Sequence, residues 1–365
     1  MKQKLCFFLG DITRSGGTER VASQIANALA GDGAYDVCLL SLVEQNKAPF
    51  YPIDPAIPRY SLGERWIKPG PGYLPLIGKL RTFLREKNID VVIDVDIVLD
   101  VLSLPAARFL GTKVISWEHF NAEFELSVGY RRWILRYSLP RSDYVVVLTK
   151  ADRDVYRDRL GRRERIAQIY NPLDKSDEAY DPHRKKQIVS VGRLAAEKGM
   201  DKLMRVAGLV LPANPDWQWL LLGDGEERAA LERFIRETHL ENRLILLGTV
   251  ADVDAWLRQA SILVSTSEYE GLGMNILEAR RRGVPCVSFA VPTGPQEIIR
   301  DGVDGYLVPP FDCDEMAGKI NRLIEEPSLR ERFARQAMAS LGEFETTRVI
   351  GQWKRLLAEL ADGTR

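Results

Sequence analysis

Two glutamates, Glu270 and Glu278, stand on either side of a glycine-rich turn. An apolar run at residues 261–265 predicts a strand before the turn, and the residues that follow predict a helix over 273–282. Backbone N–H groups at the start of a helix bind phosphate, and glycines let the backbone approach the ligand closely. Carboxylates repel phosphate but accept hydrogen bonds from sugar hydroxyls. The turn therefore predicts a site for a phosphorylated sugar; the alternative is that the glutamates only favour the helix dipole.

A second loop carries two cations at the end of another predicted strand. Arg193 and Lys198 lie between the apolar residues 187–191 and the amphipathic residues 200–210. In a parallel sheet, such strand-to-helix loops meet at the edge where ligands bind. An arginine can grip phosphate with two hydrogen bonds and a lysine supplies a point charge. The pair predicts a phosphate contact, and the alternative is a solvated loop with two surface cations.

Two glycines, Gly16 and Gly17, follow the first predicted strand and precede the first predicted helix. The dinucleotide pattern G-x-G-x-x-G is absent, which argues against NAD binding. A glycine pair at a helix start can still direct backbone amides at a diphosphate; the alternative is a tight turn. His119 follows the predicted strand 113–117, where parallel sheets face their ligand crevice. It is a candidate to bond a sugar hydroxyl, although a lone histidine is more often structural.

Composition and charge exclude several classes of protein. The 365 residues suit two domains, and 51 basic residues against 51 acidic ones give no electrostatic case for nucleic-acid binding. The four cysteines and three histidines are scattered, so we expect reduced thiols, no metal site and no cofactor besides a donor substrate. No apolar run reaches the roughly 20 residues that span a bilayer, and the opening run is too short for a signal peptide. These features predict a cytoplasmic protein.

Apolar strands alternate with amphipathic helices along the chain, which predicts an α/β protein with two parallel sheets. The predicted domains are residues 1–170 and 171–345, followed by a terminal helix within 346–365. The proline-rich residues 49–75 predict a long irregular loop. Predicted strands of the first domain cover residues 4–10, 36–43, 90–95, 113–117, 144–149 and 165–170.

The order and spacing of these segments resemble the retaining GT-B glycosyltransferases of family 4. The resemblance rests on the seven residues between Glu270 and Glu278 and on the preceding GR-x4-KG loop at 192–199. It covers nearly the whole chain, because shorter segments typical of the family accompany these two. They are SGGTER at 15–20, GDG at 223–225, TGPQEII at 293–299 and DGVDG at 301–305.

The resemblance implies a GT-B fold, in which two Rossmann-like domains face each other across a cleft and the terminal helix crosses back to the first domain. It also implies a UDP-sugar donor, held mainly by the second domain without a metal. Arg193 and Lys198 would neutralise the departing diphosphate, and Glu278 would bind the ribose. Glu270 and His119 would act at the transferred sugar. The remaining donor contacts would come from Gly16, Gly17, Val250, Gly271, Leu272, Gly273, Met274 and Asn275.

The activity implied by the resemblance is transfer, with retained anomeric configuration, of a hexose or N-acetylhexosamine from a UDP-sugar. The acceptor would be a glycan or lipid-linked oligosaccharide in bacterial lipopolysaccharide or capsular polysaccharide synthesis. A UDP-sugar isomerase on the same fold, similar to the UDP-N-acetylglucosamine 2-epimerases, is one alternative. A sugar-nucleotide-binding subunit without catalysis is another. The two glutamates together with the cationic loop favour the transferase.

Two basic, aromatic stretches, residues 66–87 and 130–141, lie in the predicted first domain. Residues 1–170 carry 25 Lys and Arg against 20 Asp and Glu, so this half is the basic one. Mixed cationic and aromatic side chains suit the interface of an anionic bilayer, and the alternative is an ordinary solvated helix face. We therefore expect a possible peripheral contact with the inner face of the cytoplasmic membrane through the first domain.

Overall fold

The fold is described from a computed structural model, which describes residues 2–65, 72–174, 181 and 183–363. The chain divides into two compact units. Unit 1 comprises Met1–Pro172 together with Thr346–Arg365, and unit 2 comprises Leu173–Glu345. The division falls two residues beyond the predicted boundary at 170, and the terminal helix groups with unit 1.

Unit 1 is built on a parallel sheet in the strand order β3-β2-β1-β4-β5-β6-β7. Its strands are β1 (Gln3–Leu9), β2 (Tyr35–Val43), β3 (Arg59–Gly63), β4 (Val91–Val95), β5 (Lys113–Trp117), β6 (Tyr144–Val147) and β7 (Ile166–Gln168). Its helices are α1 (Gly17–Gly31), α2 (Tyr73–Lys87), α3 (Asp100–Ala107), α4 (Ala122–Ser127), α5 (Gly129–Ser138), α6 (Lys150–Asp158) and, at the end of the chain, α14 (Thr346–Asp362).

Unit 2 repeats the architecture, with a parallel sheet in the order β10-β9-β8-β11-β12-β13. Its strands are β8 (Gln187–Val191), β9 (Gln218–Leu222), β10 (Leu244–Gly248), β11 (Ile262–Ser265), β12 (Cys286–Phe289) and β13 (Gly305–Val308). Its helices are α7 (Met200–Ala213), α8 (Arg228–Glu237), α9 (Val253–Gln259), α10 (Met274–Arg281), α11 (Pro295–Ile298), α12 (Cys313–Glu325) and α13 (Pro327–Ala339). The predicted α/β class with two parallel sheets is confirmed.

The central strands are apolar because helices cover both faces of each sheet. All five residues of β4 are buried, and so are the last five of β1, Leu5–Leu9. The α14 helix adds Trp353, which is fully buried and meets the ring of Trp117 edge-on at a centroid distance of 5.0 Å. This contact ties the end of the chain to the end of β5.

The prediction of an irregular loop over residues 49–75 was wrong in two places. Residues 59–63 form β3, which pairs with β2 from Leu39 to Val43, and α2 begins at Tyr73. A short edge strand of this kind is decided by its neighbour rather than by its own composition, so local sequence does not reveal it. Residues 66–71 of this stretch lie outside the described residues.

Removing the Trp353 side chain should destabilise unit 1, because it would leave a cavity against Trp117. We expect Trp353→Ala to lower the free energy of unfolding by about 3–5 kcal/mol, measured by urea denaturation followed by far-ultraviolet circular dichroism. Arg355→Ala, on the exposed side of the same helix, is the matched control and should change it by less than about 0.5 kcal/mol. Equal losses in both variants would contradict the packing role.

Candidate functional site

The carboxyl ends of β8 and β11 border a small pocket of about 20 Å3 in unit 2. The two strands are neighbours in the sheet, so the loops that follow them meet at one edge. Among the residues that line the pocket are Arg193, Lys198, Thr266, Ser267 and Asn275. The cationic loop and the start of α10, which the sequence places far apart, therefore border the same space.

A salt bridge joins the two predicted motifs directly. The ammonium Nζ of Lys198 lies 2.7 Å from Oε1 of Glu270, and the hydroxyl of Ser267 donates to the same oxygen at 2.7 Å. The side chain of Glu270 is 9% exposed and that of Lys198 is 27% exposed. Lys198 lines the pocket, and its ammonium is held beside the carboxylate of Glu270, which is not part of the described lining. The ammonium is suited to phosphate and the carboxylate to hydroxyl groups.

Gly199 is what allows the cationic loop to close against β11. Its φ of 65° is left-handed, and a Cβ there would collide with the carbonyl oxygen of Thr266. The hydroxyl of Thr266 returns a hydrogen bond of 2.9 Å to the carbonyl of Lys198. A one-turn 3-10 helix, Ala196–Lys198, precedes the glycine. These contacts fix Lys198 in position, so the glycine has a structural reason as well as a functional one.

Arg193 occupies a different position from Lys198. Its side chain is 60% exposed and forms ion pairs with Glu197 and Glu226. It lines the same pocket, but its charge is already shared between two carboxylates at the rim. The prediction that both cations meet the phosphates therefore has unequal structural support, since only Lys198 is paired with Glu270.

The remaining predicted residues of unit 2 lie around the start of α10. Gly273 caps the helix with a left-handed φ of 87°, and the side-chain amide of Asn275 donates to the carbonyl of Val191 at 3.0 Å. Leu272 and Glu278 are buried, whereas Gly271 and Met274 are partly exposed. Val250 is partly exposed in the loop after β10 and is absent from the described lining of the pocket.

In unit 1, Gly16 caps α1 and Gly17 is its first residue. A Cβ on Gly16 would collide with the carboxylate of Glu19, whereas one on Gly17 would meet open space. Gly16 also lines a pocket of about 630 Å3. A Cβ on Gly16 would require only the carboxylate of Glu19 to shift. Contact of the backbone amides of Gly16 and Gly17 with a phosphate remains a prediction.

His119 is buried just past the end of β5, with its ring centroid 4.4 Å from that of Trp117. Its Nε2 has no hydrogen-bond partner among the described residues. Burial lowers the pKa of the imidazole from 6.5 to about 3. The ring is therefore neutral at physiological pH, with one nitrogen able to receive or donate a hydrogen bond to a ligand.

Glu118, next to it, has a local structural role. Its Oε1 accepts the backbone N–H groups of His119 and Phe120, both at 2.9 Å. Burial, and then the charge of Glu125, raise the pKa of Glu118 well above its usual range. This carboxyl group positions the turn that carries His119.

The sequence interpretation missed a buried ionic cluster beside this turn. Arg131 donates to Oδ1 of Asp96 at 2.9 Å and also pairs with Glu125. Asp96 follows β4 with φ 103° and ψ 127°, a sparsely populated conformation that costs about 1–3 kcal/mol for a residue with a side chain. The acidic residues within the apolar run VVIDVD, at 91–96, are the sequence feature from which this buried cluster could have been predicted.

Some cationic side chains of the two basic, aromatic stretches form contacts within unit 1, whereas the prediction placed them at an exposed membrane-facing surface. Arg131 is 6% exposed and belongs to the buried cluster, and Arg81 donates to the carbonyls of Ala106 and Arg108. Trp66, Ile67 and Lys68 lie outside the described residues. The exposed remainder on α5 includes Tyr130 at 61% and Trp133 at 62% exposure, with Arg132 and Arg136 also exposed.

No described helix combines the length and apolar character that a membrane span requires. Across the same residues, no three His, Cys, Asp or Glu side chains group as potential metal ligands. Metal independence stays a prediction.

Comparison with known proteins gives matches to both halves of the chain. Residues 174–339 match the family described as "Glycosyl transferases group 1", and residues 15–177 match "Glycosyltransferase Family 4". The amylovoran biosynthesis glycosyltransferase AmsD of Erwinia amylovora is 28% identical over 97% of this chain and 99% of its own length.

A second relative comes from Campylobacter jejuni and is 26% identical over 98% of this chain and 99% of its own. Its name describes an α-1,4-N-acetyl-D-galactosaminyltransferase that acts on an undecaprenol-linked glycan. Among solved structures, Anabaena Alr3699/HepE in complex with UDP and glucose has a TM-score of 0.80 at 22% identity, covering 97% of this chain and 99% of that one. The structural likeness supports the predicted GT-B fold.

The depressed pKa of His119 predicts a pH-dependent stability. The His119 imidazole takes up a proton below pH 6.5 in the unfolded chain but only near pH 3 in the folded chain. The free energy of unfolding is therefore highest above pH 6.5 and decreases as the pH falls below this value. His119→Gln removes the effect, and its free energy of unfolding relative to wild type should rise by about 2 kcal/mol between pH 7.5 and 5. Urea denaturation followed by tryptophan fluorescence measures this, and a difference independent of pH would contradict a neutral, buried imidazole.

Proposed function

The chain belongs to the group 1 glycosyltransferases, and from that premise we propose that it transfers a hexose or N-acetylhexosamine from a UDP-sugar with retained configuration. The acceptor is a glycan or lipid-linked oligosaccharide of bacterial surface polysaccharide synthesis. The observation that carries the proposal is the 2.7 Å pair between Glu270 and Lys198, the latter a lining residue of the pocket in unit 2. It joins a phosphate-binding cation and a hydroxyl-binding carboxylate in one place.

The pair is suited to exchange partners when a donor binds. Lys198 would turn to the diphosphate, and Glu270 would accept a hydrogen bond from a hydroxyl of the transferred sugar while Ser267 continues to hold its Oε1. Charge grows on the diphosphate as the glycosidic bond breaks, so a fixed cation stabilises the transition state more than the ground state. Arg193 would add its charge from the rim.

Backbone amides would supplement these cations in place of a metal. The first N–H groups of α10, after Gly273, carry the positive end of the helix dipole. The amides of Gly16 and Gly17 are proposed to contact the same diphosphate. Glu278 would accept hydrogen bonds from the ribose hydroxyls, and the backbone near Val250 would contact the base.

The proposed reaction is a front-face displacement. The bond between the anomeric carbon and the diphosphate oxygen breaks, and the acceptor oxygen forms its bond to that carbon on the same face. The departing phosphate oxygen takes the proton of the acceptor hydroxyl, so no carboxylate nucleophile is needed. His119, with its neutral ring, would bond a hydroxyl of the transferred sugar.

The first test is donor turnover with the full chain. Purified protein is incubated with UDP-, GDP- and ADP-sugars and a lipid extract of bacterial membranes, and the release of free nucleotide is measured. We expect release from a UDP-sugar, and we expect Lys198→Ala to reduce it about 10²–10³-fold because one charged contact to the transition state is lost. Glu278→Ala should weaken UDP binding.

Lys186→Ala is the matched control, because Lys186 forms only an exposed pair with Asp216. It should retain full turnover. Interconversion of the UDP-sugar without nucleotide release would overturn the transferase proposal and favour an isomerase. Turnover unchanged in Lys198→Ala would remove that residue from the proposed mechanism.

We also propose that α5 docks the protein on an anionic membrane that carries the acceptor. The lipid-linked acceptor named for the Campylobacter relative supports this, as do the exposed aromatic and cationic side chains of α5. Trp133 stacks on Tyr137 at a centroid distance of 5.6 Å, and Arg141 lies over the ring of Tyr137. Aromatic rings with neighbouring arginines are the composition expected at a bilayer interface.

Sedimentation with phosphatidylglycerol vesicles tests this docking. Each of Arg132→Gln and Arg136→Gln should weaken vesicle binding about five-fold at low salt, since a basic residue near an anionic surface contributes about 1 kcal/mol. Trp133→Ser should weaken it at all salt concentrations. Phe109→Ser, at a position 86% exposed outside α5, is the control, and equal effects at both positions would contradict a specific docking face.

A further inference from the structure

The pocket of unit 1, of about 630 Å3, has a wall that the proposed donor site does not use. Much of its lining is apolar or aromatic, including Val98, Val101, Leu102, Phe120, Trp133 and Ile134. The carboxylate of Asp96 and the guanidinium of Arg131 are polar groups on this lining. Gly16 and Thr18, from the glycine segment at 15–20, border the same pocket. A pocket with extended apolar walls and a few fixed polar groups is the usual form of a small-molecule site.

Asp96 is held on this wall in a conformation that a side chain rarely adopts. Its φ of 103° is left-handed, and such strain persists only where the surroundings impose it. Its N–H donates to the carbonyl of Trp117 at 3.0 Å, and its own carbonyl accepts the N–H of Leu99 at 3.1 Å. These bonds fix the backbone between the end of β4 and the start of α3.

The carboxylate of Asp96 is fixed through one oxygen only. Oδ1 accepts the N–H of Val98 at 3.1 Å and Nη2 of Arg131 at 2.9 Å. Arg131 is itself immobilised by Glu125 and by the ring of Phe120, 4.6 Å from its guanidinium carbon. Oδ2 has no hydrogen-bond partner within the described parts of the chain, and the side chain keeps 19% of its surface exposed.

The chemistry of this wall favours a hydroxyl-rich, uncharged ligand. The charge of Arg131 is shared between Asp96 and Glu125, so this guanidinium is not available to a phosphate beside Asp96. The other arginine of the described lining is Arg14. A carboxylate oxygen accepts hydrogen bonds and repels phosphate. A phosphate is therefore disfavoured beside Asp96, whereas a sugar hydroxyl fits there; Gly16 borders another part of the same pocket.

We propose that Asp96 is a positioning residue for the acceptor: its Oδ2 accepts a hydrogen bond from a hydroxyl of the acceptor sugar, which packs against Phe120 and Trp133. This inference rests on the proposed transferase function. This role would account for the strained backbone of Asp96. The strained conformation places the carboxylate at the pocket, and the bonds to Oδ1 prevent it from turning away. Preorganisation of this kind orients an acceptor without a further ordering cost.

The test measures equilibrium binding, so that it does not depend on turnover. The probes are octyl glycosides of glucose, galactose and N-acetylglucosamine and their single-deoxy analogues, titrated against tryptophan fluorescence, to which Trp133 in the pocket contributes. We expect wild type to bind at least one glycoside and to lose affinity at least ten-fold for the analogue that lacks the bonded hydroxyl.

Two variants separate the carboxylate from the fold. Asp96→Asn keeps an oxygen for Val98 and Arg131 but places an amide N–H₂ where Oδ2 stood, and Asp96→Gly removes the side chain while suiting φ 103°. Both should weaken the parent glycoside about ten-fold and abolish the discrimination against its deoxy analogue. UDP affinity should stay unchanged in both, as it should in Asp158→Asn, an exposed control on α6.

The outcomes distinguish this inference from the proposed function. If wild type binds none of the glycosides, or if the variants bind parent and deoxy probes as wild type does, the role of Asp96 is overturned. Loss of UDP affinity in the Asp96 variants would also overturn it, because the residue would then act on the donor. Absence of nucleotide release from every donor sugar would instead overturn the transferase proposal.

Discussion

Parallel pairing of the strands is the constraint on which the chemistry of this chain depends. All the described pairings within both sheets are parallel, so the carboxyl ends of the strands lie at one edge of each sheet. Most of these ends lead through a loop into a helix. Reactive side chains placed after different strands are then brought together at that edge. Lys198 and Glu270 are 72 residues apart in sequence, and they meet because β8 and β11 are adjacent.

The Lys198–Glu270 ion pair places a cation and a carboxylate next to each other. A carboxylate that is 9% exposed is expensive to bury unless its oxygens are satisfied. Lys198 and Ser267 both bond its Oε1. A ligand that offers a phosphate to the lysine and a hydroxyl to the carboxylate can replace this pair without leaving either charge unmatched. The electrostatics of the site at rest are therefore consistent with the proposed sugar-phosphate ligand.

The charged residues of unit 1 are arranged differently from those of unit 2. Its acidic residues lie behind the ends of β4 and β5, where burial raises the pKa of Asp94 and Glu118 well above the usual range. The pKa of Asp100 is raised to about 6 by the same cause. Arg131 holds Asp96 and Glu125 together, and the strained backbone of Asp96 is fixed between these contacts. Unit 1 therefore presents fixed hydrogen-bonding groups, in contrast to the Lys198–Glu270 ion pair of unit 2.

The amino-acid sequence by itself determined the alternation of strands and helices, the two-sheet class and the position of both motifs of unit 2. Apolar periodicity and glycine placement are local properties, so they can be read along the chain. Local reading failed for β3, which forms only because β2 offers an edge, and for Arg131, whose cationic side chain was expected at the surface.

The tertiary structure alone decided which charges are paired and which groups face a pocket. Lys198 and Arg193 are both cations of the same loop, yet only Lys198 pairs with Glu270. Arg193 is held at the rim of the pocket by Glu197 and Glu226. The left-handed backbone of Asp96 depends on the carbonyl of Trp117, and the neutral state of His119 depends on its burial. Each of these properties arises from contacts between residues distant in sequence, and no local pattern encodes them.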